Sequence, residues 1–286
     1  MNESLKGPLW MVGGVFSLTL MAIAGKQISL QIDTFEILFF RSVIGIVIVL
    51  FVMVLKGLFN EINLKQIGTH LKRNIVHFTG QNLWLYALGT ITLAEVTSLE
   101  FTMPIWIIIF SSLMLGEKIT RIKVTAVFIG FLGILVVARP SIETLNLGIG
   151  TAALSAVGFA LTSIFTRRLT ETESITCILF YLTSMQLIFG LIATGYDGDI
   201  MLPSINTAPW LLLIGFAGLT AHFCVTKALS IAPPSVVMPI DFLRLPIIAF
   251  VGMIFYNEPL DMFVILGAAL ICYANWLNLT KDERSN

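Results

Sequence analysis

An all-α polytopic membrane protein is the fold this sequence predicts: ten transmembrane helices as two inverted five-helix repeats, both termini cytoplasmic. Three observations predict it. Of the 286 residues, 57% are hydrophobic and 12% are charged. Counting glycine but not tyrosine, about 63% are apolar, against roughly 45–50% in soluble domains, and the charged share is about half the usual ~25%. Ten stretches approach the ~20 mostly apolar residues that a membrane helix needs. The third observation is that the chain resembles itself at an offset of 141 residues.

Composition also excludes classes. A net charge of zero and a pI near 6.8 leave no basic footprint for nucleic acid. The expected partners are a small-molecule substrate and the lipid bilayer, with monomer and homodimer both open. Cys177, Cys224 and Cys272 lie far apart inside apolar runs and read as buried free thiols. No CxxC pair, Cys/His metal spacing, Walker loop, GxGxxG or GxSxG motif occurs. No metal, no cofactor and no soluble-type catalytic centre is therefore expected. The opening MNESLKGPLW lacks a small-residue cleavage site and reads as the start of the first helix.

In order, the predicted spans are about 8–27, 35–55, 74–91, 93–115, 122–139, 147–166, 174–195, 208–229, 234–256 and 260–279. The second and fourth contain the charge-free runs Val43–Leu55 and Ile105–Leu115. Small residues that let helices approach closely mark the first span (Gly13, Gly14, Ser17) and the fifth (Gly130, Gly133). The sixth has Ala156 and Ala160, the eighth Gly215 and Gly218. Pro104 interrupts the fourth span, and Pro239 and Pro246 the ninth, at nearly corresponding places in the two halves. The longest connections, Lys56–Arg73 and Tyr196–Thr207, leave no room for a soluble domain. His70, in the first of them, is expected to be solvated.

Lysine and arginine orient the chain. With the amino terminus inside, thirteen of the seventeen fall on the cytoplasmic side, Arg73 among them. Only Lys26 and Arg139 fall outside, and Arg41 and Arg244 lie within spans.

The offset of 141 places Ile37-Leu38-Phe39-Phe40 on Ile178-Leu179-Phe180-Tyr181 and Ala87-Leu88 on Ala228-Leu229. It places Glu100-Phe101 on Asp241-Phe242, Glu117 on Glu258, Lys26 on Arg167 and Gln81 on His222. The first half, 8–139, and the second, 147–279, then hold five helices each. An odd number forces opposite orientations, the architecture of many secondary transporters, in which two bundles rock around a midplane site. A scaffold has no use for that symmetry.

Ionisable groups inside spans are costly and mark candidate sites. Arg41, Glu100, Asp241 and Arg244 are such groups, and Asp241 and Arg244 share a helical face at i, i+3. They are expected either to hold the bundles together as ion pairs or to line a cavity for solute and proton. A carboxylate among apolar residues can load and release protons near neutral pH. Glu100 is the expected carrier, because Arg244 beside Asp241 holds that residue ionised. Asn74, His77, Gln81 and Trp84 form one stripe of the third span, and His222 and Thr226 share a face of the eighth. Such stripes suit either a polar solute, stacked on Trp84, or hydrogen bonds between helices. Glu95 reads as solvated. Glu117 and Glu258 suit the positive end of the helix that follows each.

The segments Tyr86-Ala87-Leu88, Leu93-Ala94-Glu95-Val96, Pro104-Ile105-Trp106, Leu115-Gly116-Glu117-Lys118 and Gly130-Phe131-Leu132-Gly133-Ile134-Leu135 resemble the EamA domain of the drug/metabolite transporter superfamily. Lys227-Ala228-Leu229, Pro239 and Tyr256-Asn257-Glu258 repeat the pattern more loosely, so that the resemblance covers about 8–277. Phe35-Glu36, Phe39-Phe40-Arg41 and Phe242-Leu243-Arg244-Leu245 are similar to the branch that includes bacterial S-adenosylmethionine uptake carriers. Riboflavin carriers and metallophore exporters of the superfamily look broadly similar. The resemblance implies a ten-helix inverted repeat with a central cavity that moves small organic solutes. Small multidrug antiporters of the superfamily carry a carboxylate in their first helix, and the first span here has none.

Together these readings give an expectation. It is a secondary transporter of the bacterial plasma (inner) membrane, not an enzyme, carrying a small polar or zwitterionic metabolite by alternating access. Its cavity residues are Arg41, His77, Gln81, Trp84, Glu100, His222, Asp241 and Arg244. A non-transporting binding subunit would need an exposed partner domain that the loops lack. An intramembrane enzyme would need paired catalytic groups, and HExxH and GxSxG are absent. Import and export stay open, because topology fixes orientation but not the driving gradient.

Overall fold

The computed structural model describes residues 3–115, 121–138, 146–196, 202–231, 238–259 and 261–282. They form α1 (Glu3–Ile28), α2 (Thr34–Lys56), α3 (Ile67–Thr90), α4 (Leu93–Glu100), α5 (Met103–Leu115) and α6 (Arg121–Ala138). After these come α7 (Leu147–Leu169), α8 (Ile175–Thr194), α9 (Ala208–Ile231), α10 (Arg244–Tyr256) and α11 (Met262–Asp282). Short 3-10 turns occupy Phe59–Glu61 and Met238–Leu243, and no strand occurs among the described residues. Glu117, Lys118 and Arg139 lie outside the described residues.

Local chemistry sets the helix ends. The Asp33 carboxylate accepts the Phe35 N–H at 2.7 Å to open α2, which closes on Gly57 in the left-handed conformation, φ 64°. Asn146 and Ser174 cap α7 and α8 in the same way, accepting from Ile149 and Cys177. Thr92 and Glu95 make a reciprocal capping box at the start of α4, so Glu95 is a capping residue and not merely solvated.

Among the described residues, six segments are long and apolar enough to cross a membrane: Lys6–Ile28, Thr34–Lys56, Leu93–Met114, Leu147–Leu169, Ile175–Thr194 and Ala208–Ile231. Val124–Val136, Ile247–Tyr256 and Met262–Ala274 are shorter apolar helices. α3 is long enough at 24 residues, but Asn74, His77, Gln81 and Asn82 dilute its hydropathy. The distribution of polarity is inverted relative to a soluble protein. Phe16, Phe51 and Phe216 expose about two-thirds of their surface, while Arg73, Asn74, His77 and Arg244 are 2% exposed or less.

The 141-residue offset recurs in the elements. It carries Ile67–Thr90 onto Ala208–Ile231 and Met103–Leu115 onto Arg244–Tyr256. The principal helix partnerships are α1 with α9, α3 with α7, α2 with α8 and α6 with α11. The same offset exchanges the first two partnerships and leaves the last two unchanged. Every one joins the first half of the chain to the second.

At the α3–α7 crossing, glycines of the two helices face each other. A Cβ on Gly158 would lie 3.0 Å from the Gly80 Cα and 3.0 Å from the Val76 carbonyl oxygen, both backbone atoms that cannot rotate away. Gly158→Val is expected to cost about 2–3 kcal/mol by overpacking. A thermal melt of the detergent-solubilised protein checks this: an unchanged midpoint would mean that the helices separate freely.

The apolar core lies toward one end of this bundle. Ile28, Leu85, Leu88, Leu93, Val96, Ile214 and Ile248 fill it, from α1, α3, α4, α9 and α10. Four polar contacts close the same end. Lys26 Nζ donates to the Ile91 carbonyl at 2.7 Å and lies 3.2 Å from Glu258 Oε1. Glu258 Oε2 accepts the Leu93 N–H at 2.9 Å, and the Tyr256 hydroxyl donates to the Ile23 carbonyl at 3.1 Å. Glu258 therefore serves the positive end of α4, in the other half of the chain, and not the helix after it.

Candidate functional site

Two interruptions build the centre. The helix of the fourth predicted span stops at Glu100 and restarts at Met103, immediately before Pro104. In the ninth, the 3-10 turn Met238–Leu243 gives way to α10 at Arg244, with Pro246 in the first helical turn, where a missing N–H is harmless. The two breaks place Glu100, Asp241 and Arg244 together. Arg244 Nη2 donates to Glu100 Oε1 at 2.7 Å and to Asp241 Oδ2 at 2.8 Å. Trp84 Nε1 donates to Glu100 Oε2 at 3.1 Å, and the Phe101 ring lies 5.7 Å from the guanidinium.

This corrects one expectation. Arg244 was expected to hold Asp241 and leave Glu100 as the freer carboxylate, yet one guanidinium nitrogen serves both. The triad carries a net charge of −1 when both carboxylates are ionised and becomes neutral when one proton binds.

The triad forms one wall of a cavity of about 100 Å³. His77, Gln81 and Trp84 of the α3 stripe line it, and so do His222 and Thr226 of α9. The His77 and His222 rings stand nearly perpendicular, at 80°, with centroids 4.7 Å apart. Among the described residues, neither His77 nitrogen nor Gln81 Oε1 has a hydrogen-bond partner. Asn74, the first member of the stripe, instead binds protein: its amide donates to the His70 carbonyl, and its own carbonyl accepts from Gln186 Nε2 at 2.9 Å.

Arg41 is not part of this wall. It faces a separate space of about 10 Å³ with Thr183, Gln186 and Gly215, and its Nη1 has no partner. Gly218 makes the approach feasible, since a Cβ there would lie 2.7 Å from Arg41 Nε. Packing alone is therefore not what Gly218 provides.

Arg73 lines the cavity, although the positive-inside count assigned it to a cytoplasmic loop. α3 begins at Ile67, seven residues before the expected span, so Arg73 is carried into the bundle and is 1% exposed. Its Nε donates to Thr166 Oγ1 at 3.2 Å and its Nη1 to Asn74 Oδ1 at 2.9 Å. The signal was present in the sequence: stepping back four residues from His77 along the stripe reaches Arg73. Thr162, Ser163 and Thr166 of α7 were also missed on the lining.

The longer α3 corrects His70 as well. It is 0% exposed, with its ring 4.4 Å from that of Tyr181. Among the described residues, His70, Glu173 and Cys177 are the grouping whose ligand atoms could converge on a metal, all within 4.8 Å of one another. Glu173 is already committed to Asn63 Nδ2 at 2.7 Å, and the Tyr181 hydroxyl donates to the Asn63 carbonyl at 2.9 Å. The cluster thus ties the turn after α2 to the start of α8. Cys177 and Cys224 are buried free thiols, and Cys272 is partly exposed.

The cavity is lined from both halves of the chain, by residues within 11–21 of α1, 73–84 of α3, 159–166 of α7 and 221–229 of α9. Such a cavity, walled by buried charge within a multi-pass helical protein, suits a membrane carrier. The chain belongs to the EamA-like transporter family, whose model matches residues 5–139 and again 146–280, and it is a transporter and not an enzyme. It is 25% identical to the S-adenosylmethionine uptake transporter of Rickettsia prowazekii (strain Madrid E) over 290 aligned residues, covering 100% of this chain and 97% of that one. It is 27% identical to the riboflavin transporter of Vibrio cholerae serotype O1, covering 94% of this chain and 91% of the relative. A solved structure described as "Crystal structure of protein" superposes with a TM-score of 0.69 over 98% of both chains at 14% identity, a likeness of fold.

Proposed function

We propose that this chain is a secondary transporter of the bacterial inner membrane, moving a small polar or zwitterionic metabolite by alternating access. In this reading ten helices form two inverted repeats, 8–139 and 147–279, with both termini cytoplasmic. The observation that carries it is the cavity between the halves, which holds buried charge of both signs. The orientation of the helices supports the inversion: the C-terminal end of α1 lies beside that of α3, where Lys26 holds the Ile91 carbonyl, but the C-terminal end of α7, the counterpart of α1 at the offset, lies beside the N-terminal part of α3, where Thr166 accepts from Arg73.

His77, Gln81, Trp84 and His222 are the solute-binding residues of this proposal, with Glu100, Asp241 and Arg244 as its ionisable centre. Arg41 acts on the cavity through its charge and not by contact. The names of the relatives favour an amino-acid-like solute such as S-adenosylmethionine, with a riboflavin-type vitamin second. Export of a metabolite or metallophore is the alternative direction. Proton coupling is assigned to the Glu100–Arg244–Asp241 triad, because one proton changes its net charge from −1 to 0.

Uptake into proteoliposomes tests the reading, with labelled S-adenosylmethionine, amino acids and riboflavin, and with and without an inward proton gradient. Saturable uptake that a protonophore abolishes is expected, and Glu100→Gln should lower gradient-driven uptake roughly tenfold or more. Gradient-driven uptake unchanged in Glu100→Gln would remove Glu100 from the proton path. Saturable uptake indifferent to the protonophore would remove the proton altogether.

A further inference from the structure

The buried charge is unevenly distributed across the site. Around the helix breaks, two carboxylates share one guanidinium. At the other end of the α3 stripe the balance is reversed. Arg73 is 1% exposed, and among the described residues only Thr166 and Asn74, both neutral, accept its hydrogen bonds. A guanidinium has five N–H donors, and these two contacts leave the others for the cavity that Arg73 lines. No carboxylate among the described residues pairs with Arg73 or with Arg41, whose Nη1 is buried without a partner. The two arginines are linked through protein, since Gln186 lies beside Arg41 and donates to Asn74, which in turn accepts from Arg73. Burial of an uncompensated guanidinium is strongly unfavourable, and an anion that completes its hydrogen bonds relieves it.

We infer that Arg73, with the His77–His222 pair beside it, forms a subsite for the carboxylate of an elongated, dipolar solute, whose cation sits at the Glu100–Asp241 end. The inference rests on the solute-carrier reading above and deepens it. Arg73 and Trp84 are eleven residues apart on one helix, roughly 16 Å along its axis at ~1.5 Å per residue. The reach of the Arg73 side chain shortens that separation, but an α-amino group and its own carboxylate are too close together to occupy both ends. The solute therefore carries its second charge remote from the carboxylate, as a sulfonium, guanidinium or side-chain ammonium does. At that end Trp84, hydrogen-bonded to Glu100, offers an aromatic face to the cation. Thr166 fixes the Arg73 fork, and the unpartnered nitrogens of His77 supply a further donor to the anion.

Two probe pairs differ only in the carboxylate: S-adenosylmethionine with decarboxylated S-adenosylmethionine, and arginine with agmatine. Equilibrium binding of each to the purified full chain in detergent reads the subsite without requiring transport. The wild type should prefer the carboxylate-bearing member of at least one pair by roughly 10–100-fold, the range for a hydrogen bond to a charged group. Arg73→Gln should bring that ratio to within about threefold while leaving the affinity for the decarboxylated member unchanged, and Arg73→Lys should restore part of the preference. Glu100→Gln should leave that ratio standing, because both members carry the cation that its carboxylate faces. If Arg73→Gln does not fold, Thr166→Val, which removes only the hydroxyl that holds Arg73 Nε, should lower the ratio several-fold.

A ratio that survives Arg73→Gln, an equal loss for both members, or no saturable binding of any carboxylate probe to folded wild type overturns the inference. Binding with the expected ratio but without uptake would leave the subsite standing and refute uptake as the direction of transport. Saturable uptake of riboflavin indifferent to Arg73→Gln would do the reverse.

Discussion

Arg244→Ala is expected to abolish uptake and to lower stability by about 3–5 kcal/mol, the range for breaking a buried ion pair from one side. The reason is specific to this triad. One guanidinium nitrogen holds Glu100 at 2.7 Å and Asp241 at 2.8 Å, and the side chain is 1% exposed. Its removal leaves two carboxylates facing each other in a low-dielectric centre with no counter-ion. The neutral triple variant Glu100→Gln, Asp241→Asn, Arg244→Gln should recover most of the stability, because buried amides need hydrogen bonds but not neutralisation. It should not recover uptake. Thermal melts and proteoliposome uptake of the two variants separate the roles. A stable Arg244→Ala protein would mean that water reaches the triad, and an active triple variant would mean that its charges are structural only.

Glu258→Gln is expected to open the end of the bundle that Lys26 closes. Glu258 bridges three elements, lying 3.2 Å from Lys26 Nζ and accepting the Leu93 N–H at 2.9 Å, while Lys26 also holds the Ile91 carbonyl. The two carboxylate contacts are charge-assisted, worth roughly 1.5–3 kcal/mol each, but not fully buried, with Lys26 18% and Glu258 12% exposed, so solvent reduces them. The neutral amide retains a weak contact to Leu93 and loses the attraction to Lys26. A loss of about 1.4 kcal/mol shifts a two-state equilibrium tenfold. A cysteine placed at cavity residue Ser163 should therefore react roughly tenfold faster with an impermeant maleimide added from the outside. Unchanged labelling would show that the apolar core at that end, not the ion pair, keeps it shut. The opposite end has its own contact at the equivalent basic residue, where Arg167 Nη1 donates to the Leu229 carbonyl at 2.6 Å. Equivalent positions thus carry a cation-to-carbonyl contact at both ends.

Much of this architecture is legible in the sequence because lipid is a stringent solvent. Apolar length reveals helices, and the 141-residue offset reappears in the element limits. Glu100, Asp241 and Arg244 stood out because a charge in an apolar run has few reasons to be there. Arg73 and His70 did not, because a polar helix that is shielded by its neighbours looks like a loop to any measure of hydropathy. α3 continues through that polar stretch from Ile67, and its burial is supplied by α7 and α8, which are remote in sequence. Which carboxylate meets which arginine was likewise not readable. Asp241 and Arg244 are local, but Glu100 reaches Arg244 across 144 positions of chain. Spacing on one helix could give the first contact and not the second.

The partnership of α3 with α7 has a consequence for how the molecule comes into being. As the chain is synthesised, α3 leaves the ribosome before α7 exists. A helix bearing Arg73, Asn74, His77 and Gln81 is poorly solvated by lipid alone, so until α7 arrives it must stay in the insertion machinery or take temporary shelter against α1 and α2. The same delay applies to α1, whose principal partner α9 is made later still. Neither half of the molecule is a finished object at birth. The second half completes the first, and maturation is one event at the end of translation rather than two in succession.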